Sequence, residues 1–82
     1  MRRSIDDATD DHPPDEDRGT ASWMVGMADD CESCGDLRVV VTLEEVGRAG
    51  AGLVAHLAPD TARRLRAAVA AALHELGEPP GP

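Results

Sequence analysis

Apolar and polar positions alternate along residues 37–45 of this 82-residue chain. The apolar positions of the run are Leu37, Val39, Val41 and Leu43. Alternation with a period of two, in a segment rich in β-branched residues, is typical of a strand that is buried on one side. A glycine-rich span follows, and then a second apolar run over residues 52–57. We therefore predict an antiparallel hairpin with a widened loop.

The apolar period becomes helical after Pro59, and we predict an α-helix over residues 59–76. Its apolar stripe consists of Ala62, Leu65, Val69, Ala72, Leu73 and Leu76. Pro59 suits the first helical position, and Gly77 suits the position just beyond the helix. Asp60 stands four residues before Arg64, a spacing that favours an ion pair. The stripe is expected to face the hairpin.

Residues 22–34 fit two patterns. As a strand, the first half of the segment would pair with the hairpin and give the three strands that a stable sheet usually needs. As a helix capped by Ser22, the segment would place one set of side chains on a single face, namely Trp23, Met27, Cys31 and Cys34. We favour the strand, because Gly26 weakens a helix and because Asp29 and Asp30 would lie toward its negative end.

The run from His56 to Leu65 reads HLAPDTARRL. It resembles the strand-to-helix junction of small uncharacterised actinobacterial proteins, in which a Leu-Thr-Pro-acidic-x-Ala-Arg pattern opens an Ala/Leu-rich helix. Ala58 stands here in place of the usual threonine, so the side-chain N-cap is missing. The resemblance implies a sheet-plus-helix module, and it implies no activity and no functional residue.

The charge of the chain is uneven. Residues 1–36 hold eleven acids and three arginines, whereas residues 37–82 hold five of each, so the net charge of -8 belongs to the first part. The start of the chain is also polar and interrupted at Pro13 and Pro14. Such a segment cannot bury enough apolar surface to offset its own ordering. We therefore predict a disordered acidic arm over residues 1–21.

The predicted fold class is α+β, with a small antiparallel sheet of two or three strands packed on one C-terminal helix. The predicted strands lie near residues 22–27, 37–45 and 52–57. The predicted parts are the arm (1–21), an α+β module (22–77) and a flexible Pro/Gly tail (78–82). A core of about 55 residues is marginal, so support from a metal, a partner or a second copy is expected.

Membrane and nucleic-acid functions are not expected. No apolar run approaches the ~18–20 residues of a membrane span. No apolar segment follows Arg2 and Arg3, as an export signal would require, so we expect a cytoplasmic protein. Arg63, Arg64 and Arg66 cluster at the start of the predicted helix, but nucleic-acid binding is disfavoured by the negative net charge and the single tryptophan.

Cys31 and Cys34 are the candidate metal ligands of the sequence. A Cys-x-x-Cys-Gly turn directs both sulfurs at one ion, and structural zinc then needs two further ligands. His12, His56 and His74 stand at no familiar zinc-finger spacing. Two copies of the motif would complete a four-cysteine site across a dimer. We therefore state a zinc-bridged dimer as a hypothesis.

Three interpretations of the two cysteines remain open: ordinary thiols, a metal site, or a redox pair. The acids around them are Asp29, Asp30, Glu32 and Asp36. This negative charge is predicted to raise the pKa of both thiols, which disfavours a reactive thiolate, while it attracts a cation. In a reducing compartment the pair would not form a disulfide by default.

Two surfaces are candidate interaction sites. One is the helix face opposite the apolar stripe, formed by Ala67, Ala70, Ala71 and His74. Small side chains let another helix approach closely, although alanine is also simply the best helix former. The other is the sheet face that carries Val40, Val54 and His56. This face is partly apolar and is therefore a candidate surface for binding a partner.

The predicted function is a non-enzymatic protein-interaction or regulatory module that forms a homodimer. The alternative is a zinc-binding or thiol-redox module that uses Cys31 and Cys34. No spacing suggests a catalytic triad or a carboxylate pair, and the glycines at 47, 50 and 52 lack the Lys-Ser/Thr of a phosphate loop. The expected partners are a second copy or another protein, and the expected cofactor is none or zinc.

Overall fold

A computed structural model describes residues 1–13, 15, 19–48 and 50–81 of the chain. The elements, in chain order, are β1 (Arg2–Thr9), β2 (Ala21–Ala28), β3 (Arg38–Glu45), β4 (Leu53–Leu57) and α1 (Pro59–Glu75). The strands form one antiparallel sheet in the order β1-β2-β3-β4. The fold is therefore α+β, with an antiparallel sheet and one C-terminal helix, as the sequence predicts.

The hairpin and the additional strand are confirmed. β3 pairs with β4, and β2 pairs with β3 over eight residues, so the helical alternative for residues 22–34 is wrong. Gly26 shows why this strand needs glycine, because a Cβ added there would lie 2.5 Å from the backbone oxygen of Arg3. The glycine lets β1 approach β2 closely.

The prediction of two or three strands is wrong, because residues 2–9 form a fourth strand, β1, instead of a disordered arm. All eight residues of β1 are exposed, so its backbone pairing with β2 holds it rather than side-chain burial. The pairing is irregular between Ser4 and Asp6, and Arg2 forms an ion pair with Asp30 at 3.2 Å. Residues 14 and 16–18 of the predicted arm, and residue 82 of the predicted tail, lie outside the described residues.

Helix α1 has the predicted termini. Ala58 forms no side-chain cap, and Gly77 adopts a φ of 80° just past the helix end. The amides of Gly77 and Glu78 donate to the carbonyls of His74 and Leu73, which is the Schellman arrangement. The predicted pairing of Asp60 with Arg64 is not observed. Asp60 instead accepts a hydrogen bond of 2.6 Å from Arg63, one residue earlier.

The core of the protein is thin. Among the described residues, the buried apolar side chains are Ala28 and Val40, each 6% exposed. None of the residues of α1 (Pro59–Glu75) is buried, and within the described part of the chain the helix approaches only β3 and β4. Along the predicted apolar stripe, Leu65, Val69 and Leu76 are exposed, and Ala62 and Leu73 are half-buried. No helix in the described ranges has the length and apolar character needed to cross a bilayer.

Cross-strand pairing defines the two faces of the sheet, because directly paired residues point to the same side. We call one side the loop face; along it Gly26 pairs with Val40, and Val40 pairs with His56. We call the other side the bare face. Across β2, β3 and β4 it carries three apolar rows, which are Trp23–Leu43–Leu53, Val25–Val41–Ala55 and Met27–Val39–Leu57. β1 continues these rows with Ala8, Asp6 and Arg3, respectively.

Candidate metal centre

The loop between β2 and β3 carries both cysteines. The amide of Gly35 donates a 3.1 Å hydrogen bond to the carbonyl of Cys31, which closes a tight turn around Cys34. Gly35 has a φ of 64°, in the left-handed region where glycine carries no steric cost. Neither cysteine is in a disulfide, and both are half-buried. The turn therefore holds two reduced thiols close together.

The sheet register brings His56 to the same place. β3 begins just after the cysteine turn, and Val40 on β3 pairs directly with His56 on β4. The imidazole consequently lies on the loop face, where its Nδ1 is 3.3 Å from the Sγ of Cys34. One ligand atom from each of Cys31, Cys34 and His56 lies within 4.8 Å of the others.

These separations suit one tetrahedral ion. Zinc–sulfur bonds of about 2.3 Å and zinc–nitrogen bonds of about 2.0–2.1 Å place neighbouring ligand atoms about 3.6–3.8 Å apart. The observed distance between the Sγ of Cys34 and the Nδ1 of His56, 3.3 Å, is slightly shorter than these values. The 4.8 Å limit for the whole group is longer than they are. Two thiolates and an imidazole are a donor set that zinc prefers. The three side chains thus lie close enough together to bind a metal.

The two thiols differ in acidity. Hydrogen bonds from the backbone amide and then from the side chain of Cys34 lower the pKa of Cys31 below its ordinary value. The same side-chain contact with Cys31, followed by partial burial, raises the pKa of Cys34. The prediction that nearby acids raise both values is therefore wrong for Cys31. Asp30 does act in the predicted direction on Cys31, but more weakly than the hydrogen bonds.

Arg38 supports the turn from the start of β3. Its guanidinium lies 3.5 Å from the carbonyl oxygen of Cys34 and 3.7 Å from a carboxylate oxygen of Asp36. Its side chain is only 23% exposed, so it lies against the loop face rather than in solvent. The same charge works to lower the pKa of Cys34, against the larger effect of Cys31. Arg38 therefore links the cysteine turn to the sheet.

The other two histidines lie elsewhere. The Nε2 of His12 is 3.4 Å from a carboxylate oxygen of Asp15, before β2. His74 is exposed in the last turn of α1. Within the described residues, the group that could hold a metal contains only His56 beside the two cysteines. The chain thus supplies a third ligand without a second copy.

The predicted interaction residues fall into different environments. On α1, Ala67 and Ala70 line a cleft with Pro80 of the C-terminal tail. Ala70 is half-buried, and Ala67, Ala71 and His74 are exposed. On the loop face, Val40 is buried and Val54 is 56% exposed. Their contact with a partner stays a prediction.

His56 is the candidate ligand that the sequence does not single out. It is 22 positions after Cys34, a spacing that resembles no zinc finger. A signal was nevertheless present, because the predicted hairpin places its second strand beside the strand that follows the cysteine turn. In an antiparallel hairpin, a ligand can lie across from the first strand rather than close by in sequence, and His56 lies opposite Val40 in this way.

No protein-family model, curated protein or solved structure matches this chain significantly. The resemblance of the strand-to-helix junction to small actinobacterial proteins therefore stays a prediction. The candidate metal centre rests on the geometry of Cys31, Cys34 and His56 alone.

Proposed function

We propose that this chain is a small, non-enzymatic module that binds one zinc ion through Cys31, Cys34 and His56. The observation that carries the proposal is the convergence of three zinc-type ligand atoms within 4.8 Å. Two of them come from a tight turn, and the third comes from a neighbouring strand. Zinc fills a fourth position in its tetrahedron with water or with a ligand from another molecule.

The bound ion would support the fold. It joins the β2–β3 loop to β4, two parts of the chain that are otherwise linked here by the contact between Cys34 and His56. A sheet with a thin core gains stability from such a link, because binding free energy that exists only in the folded state adds to folding. The acids near the turn, among them Asp29, Asp30 and Glu32, add negative charge that favours a cation.

Zinc titration with a competing chromophoric chelator tests the proposal. The wild type is expected to bind one zinc per chain. Cys31→Ser, Cys34→Ser and His56→Ala should each weaken binding on the order of a hundredfold, because each removes one of three protein ligands. His74→Ala is the matched control, since it removes an exposed histidine of α1 and should bind as the wild type does.

Two results would overturn the intrachain site. Unchanged affinity in His56→Ala, with one zinc per two chains, would point to the four-cysteine site across a dimer. A metal-free chain that cycles between two thiols and a Cys31–Cys34 disulfide would point to the redox alternative. Reduced thiols are needed for zinc, so we also propose a reducing compartment such as the cytoplasm.

Protein interaction is a second candidate function, and the bare face supports it. Across β2, β3 and β4 its rows contain only apolar side chains, and Leu43 and Leu53 are 54% and 81% exposed. Large exposed apolar patches on a small protein mark interaction sites. Binding of a dye that fluoresces on apolar surfaces, measured at a dilution at which the chain is monomeric, tests whether this face is accessible, with Leu53→Glu expected to reduce the signal.

A further inference from the structure

We propose that the bare face and helix α1 form the interface of a homodimer, in which α1 of each copy lies across the bare face of the other. The inference rests on the interaction function proposed above and names its partner as a second copy of this chain. Its support comes from the uncovered area, from the match between the two surfaces, and from the connection between β4 and α1.

The exposed area is larger than a chain of this size normally shows. The accessible surface is 6530 Å² for a mass of 8.6 kDa. A compact monomer of that mass exposes about 4,700 Å², so the excess is about 1,800 Å². A stable interface buries about 800 Å² on each partner. The uncovered surface is therefore sufficient for a dimer.

The shape agrees with the area. The radius of gyration is 14.6 Å, whereas a compact chain of 82 residues has one of about 12 Å. The position of α1 contributes to the difference, because the helix approaches only β3 and β4 in the described part of the chain and buries none of its residues. The sheet and the helix are thus two layers that do not cover each other.

The two uncovered surfaces match. The helix stripe exposes Leu65, Val69 and Leu76 to 45%, 54% and 76%. With 17 residues, α1 is about 26 Å long, and the eight-residue strand β3 has about the same length. A sheet face of apolar rows and a helix with an apolar stripe form the two layers of an α+β fold. Each chain therefore offers both halves of an interface, which a two-fold axis can pair reciprocally.

The connection between the layers keeps them apart within one chain. Only Ala58 lies between β4 and α1, whereas connections from a strand to a packed helix usually have two to six residues. Ala58 is extended, with φ of -64° and ψ of 159°, and the following proline disfavours a helical turn at this position. The short, stiff junction carries α1 away from its own bare face and leaves it available to another copy.

Sedimentation equilibrium of the zinc-loaded full chain tests the proposal. The wild type is expected at twice the chain mass of 8.6 kDa. Leu53→Glu places a charge on the bare face and should weaken the dimer on the order of a hundredfold. Val54→Glu is the matched control. Val54 is the next residue of β4 and is also exposed, but it points to the loop face, so this variant should leave the dimer intact.

Two further variants keep the test independent of folding. Val69→Glu alters an exposed position of the helix stripe, and it should dissociate the dimer while the zinc stoichiometry stays unchanged. Insertion of Gly-Ser-Gly-Ser between Ala58 and Pro59 lets α1 fold onto its own sheet, so this variant is expected to be monomeric and folded. A dimer that persists after the insertion would overturn the reciprocal arrangement.

The remaining outcomes separate this inference from the functions proposed above. A monomeric wild type with strong binding of the apolar dye would overturn the dimer and leave the bare face for another protein. A monomeric wild type without dye binding would overturn both the dimer and the interaction function. Dissociation by Val54→Glu but not by Leu53→Glu would place the interface on the loop face and overturn the proposal. Zinc binding, measured in parallel, tests the metal centre separately.

Discussion

The two faces of the sheet are built from the same strands but have different environments. On the loop face, the β2–β3 loop contacts β4 through Cys34 and His56, and Val40 and Ala28 are buried. On the bare face, the described residues include no buried side chain, although its three rows are apolar across β2, β3 and β4. Apolar character alone therefore does not decide burial in this chain.

The difference shows what each face lacks. On the loop face, polar groups contact one another, because Cys34 lies beside His56 and Arg38 contacts the carbonyl oxygen of Cys34. On the bare face, Leu43 and Leu53 are exposed and the other large side chains of the three rows are half-buried, and no second layer formed by the described residues buries them. A small domain cannot build a sufficient core alone, so we expect a metal to complete the first face and a second copy to complete the other.

Removal of zinc is expected to have the largest effect on this contrast. A chelator should lower the free energy of unfolding by about 4 kcal/mol relative to chain held at free zinc a thousandfold above its Kd. The loss should also appear as the pH falls, because protons compete with the metal for the thiolates and the imidazole. Urea unfolding with and without zinc measures it.

Two variants serve as controls for the predicted effect of zinc removal. His74→Ala should show the full zinc dependence, and Cys34→Ser should show little. Hydrogen exchange should increase in the β2–β3 loop and leave the amides of α1 unchanged. Equal loosening of the loop and the helix would contradict the separate support of the two faces.

Gly26→Ala tests the backbone beneath the loop face. The added Cβ would meet the carbonyl oxygen of Arg3 at 2.5 Å, so β1 must shift or detach. We expect a loss of about 2 kcal/mol in unfolding free energy, typical of overpacking. Hydrogen exchange should be fastest in β1, and Ser4→Ala, which adds no atoms beside Gly26, should keep the protection of the wild type. Unchanged protection of β1 in Gly26→Ala would show that the close approach is unimportant.

Ala58→Ser tests the N-terminal cap of helix α1, the element of which no residue is buried against either face of the sheet. A serine at the N-cap can accept a hydrogen bond from a free amide of the first turn, so the variant should gain about 1 kcal/mol of stability. Ala67→Ser inside α1 should instead lose about 0.5 kcal/mol, because serine is the poorer helix former. Thermal unfolding of both variants measures the difference. A loss in Ala58→Ser would mean that the junction does not keep its extended conformation in solution.

Alkylation of the metal-free chain should reveal the smallest effect. Cys31 is expected to react severalfold faster than Cys34 with iodoacetamide near neutral pH, because hydrogen bonds from Cys34 lower the pKa of Cys31. In Cys31→Ser, the group that raises the pKa of Cys34 is changed, so Cys34 should react faster than in the wild type. Peptide mass mapping measures both rates. Faster reaction at Cys34 in the wild type would reverse the assigned hydrogen bonding.

The sequence predicts the elements whose side chains carry a period. The alternation in β3 and the stripe of α1 follow from local patterns, and Gly77 ends the helix where its left-handed conformation is needed. β1 carries no such signal, because most of its residues are polar and all of them are exposed. Its strand conformation arises from pairing with β2, which is a tertiary contact that composition does not reveal.

The candidate metal centre is likewise only partly predictable from the sequence. Cys31 and Cys34 are separated by only two residues, so the sequence alone identifies them as a pair of candidate ligands. His56 joins them only through the register of β3 and β4, which sets Val40 beside it. The pKa of Cys31 was misjudged for a related reason. Charge is visible in the sequence, whereas the hydrogen bonds that outweigh it depend on the geometry of the turn.

X-ray absorption at the zinc edge, recorded on the zinc-loaded chain, tests the proposed centre most directly. The intrachain site predicts two sulfur ligands at about 2.3 Å and at least one imidazole nitrogen at about 2.0–2.1 Å from the metal. The imidazole signal should disappear in His56→Ala and persist in His74→Ala. A shell of four sulfurs would instead assign the metal to cysteines from two chains, and a shell without sulfur would contradict the site altogether.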